Sequence, residues 1–587
     1  MEQVMDIIDK IDTLKDLKSL SYDELRKLAS EMRRAIIKKV NTIGGHLAPN
    51  LGIVETTIAL HYVFNSPVDK IVFDVSHQCY PHKILTGRKD GFFDEKFYNK
   101  YTGYTAPEES EHDFFKVGHT STSISLACGL AKARDLKGEV GNIIALIGDG
   151  SLSGGEAYEG LNNAAVQGSN MIIIVNDNDM SIAENQGGLY TNLKLLRETG
   201  GKAECNFFKS LGFDYVFVQD GHDLENLVSV FNGVKDTKHP VVVHICTTKG
   251  KGLDIAEKDK ECYHWILPGA LDEKEYCTSS CEDYATLTAG FIEEKLKTNN
   301  SIVAISPATP GVTGFTKDFR KRMNKNYVDV GIAEEHAIAL ASGIAKNGGT
   351  PVLGIMSSFI QRTYDQLSQD LALNSNPATI LVFWGGITGA DATHLTCFDI
   401  PLISNIPNIV YLAPTCKEEY LRMLEWSTTQ RQYPVAIRVP NNGVVARGCA
   451  DTTDYSVLNK FELVQKGSEI AILGLGNFFG MAKSLVGIIK NNLGIDATLV
   501  NPKFITGIDE EMLESFKNNH KLVITLEDGI LDGGFGEKVS RFYASSDMKV
   551  LNYGAKKEFT DRIPLEELYE RYRLKPELIL QDIKSVL

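Results

Sequence analysis

Gly148-Asp149-Gly150-Ser151 and, one helix and one strand further on, Asn176-Asp177-Asn178-Asp179-Met180 are the stretches whose reading decides the fold. Ahead of the first runs Asn142-Ile143-Ile144-Ala145-Leu146-Ile147; ahead of the second runs Met171-Ile172-Ile173-Ile174-Val175. Two short apolar runs, each ending in polar residues and separated by a Gly-rich turn and a helical segment, predict a strand, turn, helix, strand unit. Its strands are parallel, and open parallel sheets bind ligands at the carboxyl ends of their strands.

The residue types at those ends point to a divalent cation held against a diphosphate. Asp149 offers a carboxylate oxygen, Asn178 an amide oxygen and Met180 a main-chain carbonyl. These are hard donors of the kind Mg2+ takes, with substrate phosphates completing its octahedron. Gly148 and Gly150 let the backbone approach phosphate oxygens, and the helix behind them favours an anion at its N-terminus. Gly-Asp-Gly alone marks a turn; its pairing with Asn-Asp-Asn at the close of the next strand is what carries chemistry. Here the sequence resembles the thiamine diphosphate enzymes.

A chain of 587 residues exceeds one core, and at roughly 150 residues per domain it predicts three or four. Hydrophobic content of 43% and charged content of 23% are those of a globular protein. A net charge of −15 argues against a nucleic-acid groove. No apolar run approaches the roughly 18 residues of a membrane span, and Met1-Glu2-Gln3-Val4-Met5-Asp6 does not open a signal peptide, so a cytoplasmic protein without membrane partners is expected. The ten cysteines lack CxxC spacing; Cys277 and Cys281, in an isolated CxxxC, read as plain thiols.

Histidines recur at other predicted turns. Gly44-Gly45-His46-Leu47-Ala48-Pro49-Asn50 reads as a turn opening the helical pattern from Val54 to Phe64. Phe73-Asp74-Val75-Ser76-His77-Gln78-Cys79-Tyr80-Pro81-His82-Lys83 places two histidines after a short strand, and Gly118-His119-Thr120-Ser121-Thr122-Ser123 precedes another helix. Converging imidazoles imply proton transfer or phosphate contact. These stretches, in this order and with the metal motif, resemble the 1-deoxy-D-xylulose-5-phosphate synthase family. Thr248-Lys249-Gly250-Lys251-Gly252 reads by itself as a solvated basic turn; with Ala256-Glu257-Lys258-Asp259 and His264 it resembles the family stretch that brings in another active-site histidine. Leu253 stands where the family often has tyrosine, a position implied to touch the cofactor.

A second α/β unit starts at Ser301-Ile302-Val303-Ala304-Ile305, after a change of composition between residues 270 and 300. In it, Tyr327-Val328-Asp329-Val330 leads to Ala333-Glu334-Glu335-His336. Acidic residues are common at helix N-termini through the dipole. The resemblance makes Glu334 the acid beside the aminopyrimidine ring, a task suited to a carboxyl raised in pKa by burial. It makes Phe359 a stacking partner of that ring and Arg362, Asp391 and His394 acceptor-site residues, the last two one residue closer than the family spacing. Met356 replaces a family tyrosine, and Asn441 stands where an Arg-x-Pro-Arg-Gly pattern would supply a phosphate-binding arginine. A third α/β unit begins near residue 460; its Gly474-Leu475-Gly476 and Gly480 lack dinucleotide spacing and the downstream acid, so NAD is not expected.

The resemblance spans nearly the whole chain. It implies three doubly wound parallel-sheet α/β domains: residues 1–295 binding diphosphate, 296–455 binding the pyrimidine and 456–587 forming a C-terminal domain that supports a homodimer. Thiamine diphosphate and Mg2+ are the implied cofactors. His77, Gly118, His119, Thr120, Gly150, Ser151, Asn178, Leu253, Glu334 and Phe359 are the implied cofactor contacts, with Asp149, Asn178 and Met180 on the metal. The implied activity decarboxylates pyruvate and joins the two-carbon fragment to D-glyceraldehyde 3-phosphate, with His46, His77 and His264 handling protons. The alternatives are a related thiamine diphosphate enzyme with another aldehyde acceptor, a transketolase, and a non-catalytic cofactor-binding protein.

Overall fold

The computed structural model of the protein describes residues 6–273, 276 and 282–587; Cys277 and Cys281 lie outside them. The chain divides into two compact units, Met1–Ser280 with Gly331–Ala333, and Cys281–Val330 with Glu334–Leu587. Among the described residues no helix is long and apolar enough to cross a membrane.

The first unit is built on a five-stranded sheet in the order Lys70–Phe73, Ile143–Gly148, Met171–Asp177, Val241–Cys246, Asp214–Val218. Every pairing is parallel, with Ile143 opposite Met171 and Ile172 opposite Val241. Strands buried on both faces read as continuous apolar runs, which is why Met171–Val175 shows no polar alternation. Ile144, Leu146, Ile172 and Ile174 enter one core, and Ile143, Ala145, Ile173 and Val175 the core on the opposite face. Helix Tyr22–Ile43 covers the first core, its start set by a capping box between Ser21 and Glu24. Helix Ser123–Lys137 packs in the second and stops at Gly138, whose φ of 65° suits glycine.

One local expectation changes. Gly45–His46 is not a simple turn but a short strand paired antiparallel with Trp265–Ile266, Gly45 opposite Ile266 and His46 opposite Trp265. Its partner lies far along the chain, so no local pattern announces it.

The second unit carries two sheets. One has six strands in the order Val410–Leu412, Val435–Arg438, Thr379–Phe383, Thr350–Met356, Ile302–Ser306, Tyr327–Asp329, all parallel. The other has five, Glu462–Gln465, Thr498–Asn501, Glu469–Gly474, His520–Ile530 and Lys549–Ala555. Only its first pairing is antiparallel: Glu462–Gln465 is an exposed edge strand with a register shift, an irregularity of the kind that blunts sheet edges. Ile355 and Val382 of the six-stranded sheet share a core with Leu473, Val500 and Val523 of the five-stranded one.

Candidate active site

In the first unit, the end of strand Ile143–Gly148 and the end of strand Met171–Asp177 are neighbours, so Asp149 and the 176–180 loop meet. Asp149 Oδ2 accepts hydrogen bonds from Met180 N at 3.1 Å and Asn185 Nδ2 at 2.7 Å. Burial and the charge of Asp177 push the Asp149 carboxyl up to about 8. Asn178 Oδ1 is buried and accepts no hydrogen bond, although such atoms are normally satisfied. A Cβ at Gly150 would come within 2.8 Å of Ser181 Oγ, so only glycine allows this close passage. Among the described residues no group of three or more His, Cys, Asp or Glu could hold a metal. The donors here are one carboxylate, one orphaned amide oxygen and a loop carbonyl, an all-oxygen set that fits Mg2+ sharing its shell with phosphate.

Lys249 is the residue the sequence reading missed. Expected in a solvated turn, it is 2% exposed, and its Nζ donates to Ser181 O at 2.5 Å. Burial lowers its pKa to about 7 despite the pull of Asp149. The compact Gly250 turn causes this: a Cβ there would meet the backbone of Ala256 at 2.7 Å. Leu253, just after this turn, packs against the first core rather than presenting a polar group.

His46, His77 and His264 form a three-ring cluster, with centroids 5.0 Å apart for His46 and His77, 5.6 Å for His46 and His264, and 5.5 Å for His77 and His264. The ribbon of Gly45–His46 with Trp265–Ile266 brings the first and last together. Buried Asn50, which the sequence reading gave no role, joins the first two: its Nδ2 donates to His46 O at 2.9 Å and His77 O at 2.8 Å. Burial, helped by Lys249, lowers the His264 pKa well below the usual histidine value, so the ring is neutral. His82 does not join them. It bonds His61 and Asp113, each at 2.8 Å, and Arg88 clamps Asp113 behind it, a buried network in the fold.

The loop carrying Gly118, His119 and Thr120 is held by Asp74, which accepts from Ser121 N at 2.8 Å and Ser123 N at 3.1 Å. Ser121 in turn donates through Oγ to the carbonyl of Ser151 at 2.8 Å. Asp74 therefore fixes this loop, and Ser121 links it to the Gly-Asp-Gly-Ser segment. Ile332, from the short piece 331–333 that belongs to this unit, donates its N–H to Ser153 Oγ at 2.8 Å.

In the second unit, Glu334 opens helix Glu334–Lys346 and is buried. Burial raises its carboxyl pKa, and Arg362, with Nη1 at 3.5 Å from Oε2, pulls it partly back. Phe359 and His394 are edge to face with centroids 5.9 Å apart. His394 Nδ1 is 3.7 Å from Asp391 Oδ1, and Thr393 Oγ1 bonds both residues. Although burial opposes it, this neighbourhood lowers Asp391 to about 2. The loop is held by the C-terminal segment: Asp561 accepts from Ala392 N at 3.0 Å, and a Cβ at Gly389 would be 2.8 Å from Ile563 O.

Neither arginine near Asn441 in sequence is free to replace the family arginine. Arg438 is buried, its Nε donating to Asp399 at 2.6 Å and its Nη1 to Asp528. Arg447 pairs with Glu462 at 2.6 Å. Asn441 itself bonds Gly385 O and Asn477, each at 3.0 Å.

Comparison with known proteins defines the class first. Residues 283–444 match the transketolase pyrimidine-binding domain and residues 459–579 the transketolase C-terminal domain, so the chain has a transketolase-like α/β fold. Residues 8–201 and 198–247 match the family model of 1-deoxy-D-xylulose-5-phosphate synthase. Proteins of that name from Clostridium acetobutylicum (38% identical, 99% of each chain covered) and Caldanaerobacter subterraneus (37%, 98% of each) are similar over essentially their whole length. The chain belongs to the 1-deoxy-D-xylulose-5-phosphate synthase family.

Proposed function

We propose that the protein is a thiamine diphosphate- and Mg2+-dependent transferase that decarboxylates pyruvate and condenses the two-carbon fragment with D-glyceraldehyde 3-phosphate, giving 1-deoxy-D-xylulose 5-phosphate and CO2. The observation that carries it is the buried, unsatisfied Asn178 Oδ1 beside the buried Asp149, a donor set suited to a hard cation and its diphosphate. Residues 1–295 would bind the diphosphate, 296–455 the pyrimidine, and 456–587 would form the C-terminal domain of a cytoplasmic homodimer.

When bound, the cofactor supplies a carbon nucleophile and an electron sink. Asp149, Asn178 and the Met180 carbonyl hold the metal; Gly150 and Ser151, with His77, Gly118, His119 and Thr120, line the diphosphate. Leu253 and Phe359 give apolar contact to the rings. Glu334, whose carboxyl burial favours in the neutral form, holds a proton for the ring nitrogen. His46, His77 and neutral His264 exchange protons with the donor and the new hydroxyl. Arg362, Asp391 and His394 orient the acceptor.

A second reading, in which the acceptor is an unphosphorylated aldehyde, draws on one observation: Asn441 replaces a cation, and Arg438 and Arg447 are both engaged elsewhere. CO2 release from pyruvate with thiamine diphosphate and Mg2+ tests both readings. Stimulation specific to D-glyceraldehyde 3-phosphate supports the first; equal stimulation by an unphosphorylated aldehyde supports the second; no decarboxylation sinks both.

A further inference from the structure

Helix Gly188–Glu198 belongs to none of the motifs above, yet it grips both loops of the candidate cation site. Near its start, Tyr190 donates its hydroxyl to Asp149 O at 3.0 Å and lies 3.2 Å from Gly150 O. About two turns later on the same face, Arg197 reaches the other loop. Its Nη1 donates to Asp177 Oδ1 at 2.8 Å and Oδ2 at 2.7 Å, and its Nη2 to Asp179 Oδ1 at 2.6 Å.

Asp177 and Asp179 are the residues on either side of Asn178. One guanidinium therefore ties down the chain immediately before and after the orphaned amide. Asp179 itself adopts a φ of 59° and returns its N–H to Asp177 Oδ1 at 3.1 Å, a tight turn that asparagine and aspartate tolerate. His244 Nε2, from the adjacent strand, braces Asp177 Oδ2 at 2.8 Å, and Tyr215 OH braces His244 Nδ1 at 2.8 Å. The planar fork of arginine is what allows one side chain to bind two carboxylates in fixed directions; a lysine has the charge but not the geometry. Asp177 is also fully buried, and Arg197 supplies its counter-charge.

We propose that Gly188–Glu198 is a positioning helix for the divalent cation, with Arg197 fixing Asn178 and Tyr190 fixing the Asp149 loop, neither touching the metal or a substrate. This rests on the Mg2+ assignment above. Groups behind the ligands of a metal commonly change its affinity by about 10–100-fold when removed.

The test is Mn2+ binding to the full-length protein with saturating thiamine diphosphate, read from the paramagnetic resonance of free Mn2+. It uses Arg197→Met, Arg197→Lys and Tyr190→Phe, with Asp149→Asn as control, and metal-free melting temperatures to report the fold. The expected result is a Mn2+ Kd raised about 10–100-fold in Arg197→Met and less in Arg197→Lys and Tyr190→Phe, with turnover restored by excess Mn2+. Restoration by metal is not what a merely misfolded protein does. Arg197→Lys keeps the buried charge, so it and Tyr190→Phe carry the test if Arg197→Met does not fold. Wild-type Kd in the folded helix variants alongside lost binding in Asp149→Asn would overturn the inference and spare the site. Wild-type Kd in Asp149→Asn as well would overturn the Mg2+ assignment and the inference with it.

Discussion

Arg362 Nη1 stands 3.5 Å from Glu334 Oε2, the guanidinium 17% exposed and the carboxylate 3%. Two opposed forces act on one proton: burial raises the pKa of Glu334 and Arg362 lowers it, with burial the larger. The carboxyl is thereby held above its ordinary range, and Arg362 limits the rise.

Replacing Glu334 by glutamine should separate stability from activity. A carboxyl whose folded pKa is raised contributes stability that is complete below its unfolded pKa of about 4.3 and is lost as pH rises through the folded value. The Glu334→Gln variant has no such loss, so its melting temperature should exceed that of the wild type at pH 8 and approach it near pH 4. Its kcat should fall by about 10²–10⁴, the usual contribution of a positioned acid. Wild-type turnover in the variant would remove Glu334 from the chemistry.

Arg362→Met should shift the pH profile in a defined direction. Without the neighbouring cation the Glu334 proton is held more tightly, so the alkaline limb of kcat for pyruvate decarboxylation should move to higher pH. A limb moving to lower pH, or not at all, would mean that another group controls it.

Cation affinity should depend on pH through Asp149. Burial and Asp177 push this carboxyl up to about 8, and a metal must displace its proton. Mn2+ affinity should rise roughly tenfold per pH unit from pH 6 towards pH 8 and level off above. Titrations at four pH values check this; a flat profile would mean that Asp149 does not coordinate.

Arg438 is predicted to act on stability. It lies buried between Asp399 and Asp528, with Tyr411 OH also on Asp399 at 2.5 Å. Arg438→Met leaves two buried carboxylates without their cation, and breaking such a pair costs about 3–5 kcal/mol. The urea midpoint of the second unit should drop accordingly, while a surface variant such as Lys521→Met should leave it unchanged.

Asn441→Arg should strengthen phosphate recognition. A charge-assisted bond contributes about 1.5–3 kcal/mol, or roughly 10–100-fold in affinity. KM for D-glyceraldehyde 3-phosphate should fall in that range while KM for an unphosphorylated aldehyde stays put. An unchanged KM for the phosphorylated triose would show that its phosphate is bound by other residues.

Much of this protein was legible in its sequence because the information is local. Apolar runs such as Met171–Val175, β-branched and bounded by polar turns, read as buried strands from their own residues, and Gly-Asp-Gly at a strand end builds its turn from a few residues. The resemblance carried by the histidine stretches and by Glu334 extended that reading to chemistry. Tertiary structure alone decided the partnerships. The ribbon that seats His46 beside His264, the burial of Lys249, the engagement of Arg438 by two distant aspartates and the grip of Arg197 and Tyr190 on the cation loops all join residues through the packed fold. Such meetings depend on how strands and helices are ordered and wound, and on which charges burial forces to pair. Neither periodicity nor spacing records them.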